Sequence, residues 1–312
     1  MKSTPSQRAA SRTASFYRHL AVRSAADQVD PHTATVTYKH TIKAVAASRI
    51  CYAIMRRSGA SLEALMYTDP VLHYIEALVY RGDLETENNQ QQGRHPTDAT
   101  WYQAIEQILH SADLADEAVL SELNELRDYF DRETHVMLRR APVDDATIHD
   151  LCYRRSSHFR MLLRAWHRAI DRPCDEAFFR LARHVCARFE IAQDLHTYTD
   201  DVDDDAFNLL RLYVWSHGTQ QARTCLDHLH QRIVADIHHE LDRSPRRTLL
   251  AALPAFFLPG STWFLPLLPA CLLRRYAHRK LKKQARATES QAPQLRPEGP
   301  QRAAPEPSAV QN

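Results

Sequence analysis

Glycine is nearly missing from this chain: six residues in 312, where an ordinary soluble domain carries roughly 7%. That scarcity removes folds built on glycine turns, among them Gly-rich phosphate loops, dinucleotide-binding sheets and hairpin-rich β-sandwiches. Proline is just as uneven. Between His32 and Ser244 it occurs only at Pro70, Pro96, Pro142 and Pro173, so this stretch reads as long helices punctuated at their ends. The expected fold class is all-α, a helical bundle.

Helices are expected at about Thr41 to Arg57, Asp69-Pro70 to Gly82, 98–111, 115–140, 143–172, 175–216 and 219–243, the sixth broken inside a run of aspartates. The polar stretch DLETENNQQQGRHPT at 83–97 reads as a loop. Four segments follow: a flexible arm at 1–34, the helical domain at 35–247, an apolar segment with a basic helix at 248–283, and a Pro/Gln/Ala-rich tail at 284–312 expected to be disordered. Residues 248–273 carry no charge and are long enough to cross a bilayer. Pro254, Pro259, Gly260, Pro266 and Pro269 would interrupt a straight span, and basic pairs flank both sides. The expectation is a broken hairpin that packs on the domain or makes peripheral membrane contact through 248–283.

Forty Lys and Arg against 38 Asp and Glu leave a net charge of +2, which argues against nucleic acid as a partner. Six cysteines form no CxxC pair, a usage that suits a reducing, cytoplasmic setting rather than a disulfide framework or zinc site. The histidines of DHLHQRIVADIHHE at 227–240 lack HExxH spacing, although His228 and His239 share a helix face.

Six aspartates fall between residues 194 and 205. Phe178, Ala182, Val185 and Phe189 form an apolar stripe, and 100° steps carry it on through Gln193, Thr197, Asp200 and Asp204. Carboxylates on a buried face need a counter-charge or a metal. Oxygen ligands one turn apart suit a hard cation such as Mg²⁺, while a solvated bend or helix cap is the plain alternative. On the preceding helix Ile148, Cys152, Phe159, Leu162 and Trp166 make a core stripe, and Arg155 falls within it, flanked by Arg154 and Arg160. A core-facing arginine needs an anion, either diphosphate or a neighbouring carboxylate.

The run Gln193-Asp194-Leu195-His196-Thr197-Tyr198-Thr199-Asp200-Asp201 resembles the Mg²⁺-binding helix motif N-D-x-x-S/T-x-x-x-E of class I terpene synthases. Gln193 stands where Asn is expected, Thr197 matches, and Asp201 replaces Glu. DLHTYTDD is similar about equally to the aspartate pattern of squalene/phytoene-type synthases. Arg154 and Arg155 resemble the diphosphate-sensing arginine of this isoprenoid synthase superfamily, and Arg275-Tyr276 resembles its C-terminal Arg-Tyr pair. The resemblance covers roughly residues 140–280.

That resemblance implies an isoprenoid-synthase-like bundle acting on a prenyl diphosphate. Mg²⁺ would sit at Gln193, Asp194, Thr197, Asp200 and Asp201. Arg155, Arg275 and Tyr276 would bind diphosphate, and Arg155, Arg154 and Tyr198 would assist ionisation before cyclisation or elimination. Tyr198, Trp166 and Phe159 are candidates for cation–π stabilisation, beside an ordinary core role. The family's first aspartate motif, DDxxD, would fall near Arg56–Ser61, where RRSGAS offers no carboxylate. Two substitutes exist: Asp83, Glu85 and Glu87, or Asp128 and Asp131. The stripe Val119, Leu123, Leu126, Phe130 and Met137 puts Asp128 on a solvated face. The missing motif leaves a second expectation, a catalytically degenerate bundle acting as a membrane-associated binding or assembly factor.

Overall fold

The computed structural model describes residues 61–95, 100–253, 256 and 269–296, with scattered positions between 36 and 55. The described residues form nine helices and no strand. The chain is an all-α bundle. The expected arm at 1–34, most of the helix at 41–57, the hairpin over 254–268 and the tail from 297 lie outside the described residues.

Helix α1, Leu62–Gln91, starts where the Ser61 hydroxyl accepts the Ala64 amide. It does not begin at Pro70 or end at Gly82 as the sequence suggested; both residues lie inside it. Pro70 is tolerated because it and Met66, whose carbonyl it would crowd, are exposed, so that carbonyl can turn to water. Gly82 marks a close approach. A Cβ there would lie 2.5 Å from the Trp101 ring of α2, Thr100–Ser111. The expected loop at 83–97 is helical as far as Gln91. Part of it turns inward, with Thr86 only 2% exposed and Gln90 donating to Glu133. The helix closes at Gly93, whose φ of 69° puts it in the left-handed region.

Helix α3, Glu117–Met137, is capped by the Asp116 carboxylate on the Val119 amide. The expected single helix over 143–172 is two, α4 (Asp145–Arg154) and α5 (Ser157–Ala169), separated by a turn at Arg155-Ser156. Both turn side chains are drawn toward the next helix, α6, Glu176–Asp203: Arg155 bonds Asp194 and Ser156 bonds Glu190. The break expected in the aspartate run falls at 204–208, where Asp205 takes φ 54°. Asn208 caps α7, Leu209–Arg243, by accepting the Leu210 and Arg211 amides at 3.0 and 3.3 Å. Gly218, at φ 75°, interrupts α7 with a non-helical residue where the sequence placed a helix end.

Short α8, Arg246–Ala252, leads on to α9, Ala270–Glu289. Leu273, Ala277, Leu281 and Ala285 lie on the buried side of α9, spaced by four. The tail expected to be disordered from 284 is therefore ordered helix through Glu289. The main seams run between α6 and α7 and between α3 and α5. Trp166, Ile105, Leu123 and Val185 are wholly buried in the core. No helix among the described residues is long and apolar enough to cross a membrane.

Candidate functional site

Where α1, α3, the α4–α5 turn and α6 meet, the interior is polar and predominantly acidic. Arg155 sits at its centre. Its Nη1 donates to Asp194 Oδ1 at 2.6 Å, its Nε lies 3.3 Å from Glu190, and its Cζ stands 5.3 Å from the Phe207 ring centroid. Against the cost of burial, the negative charges of Asp194 and Glu190 and the nearby Tyr129 hydroxyl hold the guanidinium protonated well above its ordinary range.

Asp194 is 0% exposed. Besides Arg155 it accepts the Leu209 amide through Oδ2 at 2.7 Å, and its backbone carbonyl accepts Asn208 Nδ2 at 2.8 Å. Burial pushes its carboxyl up to about 6, with the Arg155 charge and the Leu209 amide pulling the other way. One residue therefore pins three segments: the α4–α5 turn, α6 and the start of α7.

Two further acids are buried nearby. Glu76 of α1 is 1% exposed, and neither carboxylate oxygen has a hydrogen bond; His158 Nε2 stands 3.6 Å from Oε1. Burial pushes Glu76 above the usual carboxylate range, opposed by His158. Glu133 of α3, 3% exposed, accepts Gln90 Nε2 at 3.0 Å, and burial pushes it up to about 7. Asp83 is close enough to both for its charge to raise them further. Among the described residues, Glu76, Asp83, Glu133, Glu190 and Asp194 thus lie around Arg155 and His158, an excess of acid groups over basic ones.

The residues proposed from the sequence separate here. Gln193 and Asp200 are exposed, not on the buried face. The reason is a phase error: Phe189, used to extend the stripe, is 42% exposed, and the buried line runs through Ala187, Ile191, Asp194, Leu195 and Tyr198. Thr197 and Asp201 are half-buried and joined by a 2.6 Å hydrogen bond, with Asn208 Nδ2 donating to the same Asp201 oxygen at 2.8 Å. Tyr198 is buried in the core. Arg154 turns away from Arg155 to Asp150, at 2.8 Å, and toward Asp128. Arg275 is exposed on α9, and Tyr276 packs partly under Lys280; no hydrogen bond or ion pair among the described residues links either to Arg155. Arg160 is buried in a separate network with Glu122 and Glu125.

Of the substitutes for the first aspartate motif, Asp83 faces the acidic interior, whereas Glu85 pairs with Arg81 at 2.6 Å and Asp128 lies on the exposed side. Glu76, Glu133, Glu190 and His158 escaped the sequence reading because lone polar residues within helices carry no motif.

Among the described residues, the carboxylates of Asp83, Asp201 and the buried acids are not gathered closely enough to hold one divalent cation; the ligand atoms that are gathered belong to His95, Asp131 and His135. The five residues first proposed do not fit as a set, because Asp194 is engaged by an arginine and an amide and two others face outward. Comparisons with protein-family models, curated proteins and solved structures find no match, so the reading rests on this geometry.

Proposed function

We propose that the chain is an isoprenoid-synthase-like enzyme acting on a prenyl diphosphate with Mg²⁺. The observation carrying this reading is the pair formed by half-buried Arg155 and fully buried Asp194, set in an interior with more acids than bases. An arginine held protonated beside several carboxylates is prepared to bind a polyanion once cations balance the acids. Arg155 would orient the leaving group through its planar fork. The aromatic face of Phe207, against the guanidinium, would shield that end from water. Asp83 takes the place of the missing aspartate motif in this reading, and Arg154, Arg275 and Tyr276 drop out of the diphosphate contact set.

A second reading is favoured by one observation: Asp194 has both oxygens engaged and no exposure. That describes a structural staple, and with it a non-catalytic bundle acting as a binding or assembly factor, with membrane contact through 248–283. The test is incubation with geranyl, farnesyl and geranylgeranyl diphosphates, with Mg²⁺ and with EDTA, reading diphosphate release and extracted product. Mg²⁺-dependent release that Asp83→Asn and Asp201→Ala each reduce at least tenfold is expected. No release from any of the three substrates overturns the enzyme reading in favour of the second.

A further inference from the structure

On another side of α6, two buried polar groups lie near each other with no counter-ion among the described residues. Arg188 is 2% exposed. Its Nε has no hydrogen-bond partner, and no carboxylate lies against its guanidinium among the described residues. The ring centroid of Phe189 lies 4.7 Å from the Arg188 Cζ. His230 of α7 is 1% exposed, and both of its ring nitrogens are buried without a hydrogen bond. The two are electrostatic neighbours: burial pulls His230 down to about 4, and the Arg188 charge lowers it further. Burial alone draws Arg188 down to about 10.

The nearby carboxylate does not resolve this. Asp227 is held by Arg223 through two contacts of 3.0 and 3.1 Å, and Arg223 also donates to the backbone carbonyls of Glu289 and Gln291. Water would satisfy hydrogen bonds here but not the charge. An unpaired guanidinium in such a place costs several kcal/mol. It also cannot shed its proton at neutral pH. What is missing is one negative charge with oxygen acceptors, matching the flat fork of the guanidinium on one side and an imidazole able to donate on the other.

We infer that Arg188 and His230 form a buried receptor for a single oxyanion group, phosphate or carboxylate, reached beside the half-exposed ring of Phe189. It is distinct from the acidic interior: at 100° per residue Arg188 and Asp194 diverge by about 120° around α6. It does not depend on prenyl diphosphate turnover, so either reading can fail alone.

The full chain is titrated with sodium phosphate and with sodium acetate against sodium chloride at matched ionic strength, following the melting temperature and the heat of binding. One oxyanion should bind saturably at one site per chain and raise the melting temperature by roughly 5 °C at a hundredfold excess over Kd. The stronger of the two identifies the ligand as a phosphate or a carboxylate. Arg188→Met should lose that shift while melting in chloride no lower than the native chain. Arg188→Lys, which keeps the charge and loses the fork, should bind at least tenfold more loosely, and His230→Gln should weaken binding as well. Asp201→Ala should leave the shift intact. Identical melting in all three salts overturns the inference without any variant, and so does a shift that survives in Arg188→Met.

Discussion

Asp194 lies where its charge could not stand alone, and Arg155 balances it. Removing the arginine leaves an acid with 0% exposure and one amide contact. Arg155→Ala should therefore lose about 3–5 kcal/mol of unfolding free energy at pH 7.5. The sign of its pH dependence follows from Asp194, already raised to about 6 and raised further without the arginine. The stranded acid takes up a proton as the pH falls, and the penalty shrinks. Urea unfolding at pH 5 should show a smaller gap between variant and native chain than at pH 7.5. An equal gap at both would mean that Asp194 finds another partner. A loss of turnover in Arg155→Ala thus says nothing of diphosphate until the folded fraction has been measured, which is why the assay above uses Asp83 and Asp201.

At the level of helices, two breaks were legible, at Gly218 and in the aspartate run, whereas the helix end at Gly93 lay inside the expected loop. Gly93 and Gly218 sit at positive φ, and the aspartate run gives way at 204–208 where the sequence placed a bend. What could not be read was polarity turned inward. Residues 83–91 look like a loop because a helix face lined by Asp83, Thr86 and Gln90 has no apolar stripe, although Gln90 reaches Glu133 and Thr134 across the bundle. The turn at Arg155-Ser156 carries neither Gly nor Pro; it is set by bonds to α6 that only the tertiary fold supplies. Gly82 misled in the opposite sense, as a stop signal standing inside a helix. Alanine in a helix interior ordinarily gains about 1 kcal/mol over glycine. Here the added methyl meets the Trp101 ring, and Gly82→Ala should instead cost about 1–3 kcal/mol in thermal or urea unfolding. A stabilised variant would show that α1 and α2 part easily.

For the molecule as a whole, buried acids tie stability to pH. Glu133 rises from 4.5 to about 7 on folding, so the folded chain holds a proton that the unfolded chain has released between those values. Stability from this residue is fully present below about pH 4.5 and is lost as pH rises through 7, an effect on the order of 3 kcal/mol. His230, lowered to about 4, works in the other direction, its contribution lost as pH falls from 6.5 toward 4. Comparison with Glu133→Gln separates the two: the native chain's advantage over the variant should decline steadily from pH 4.5 to 7.5, and a flat difference would place Glu133 in contact with water.

The clasp at Asn208 and Leu209 has a mechanical meaning. The acid that holds Arg155 also holds the first amide of α7, and the Asn208 side chain bridges the Asp194 carbonyl to Asp201. A cation or anion that draws Asp194 or Arg155 out of register must then slacken the opening turn of α7, so occupancy of the interior is transmitted as movement at the corner between α6 and α7.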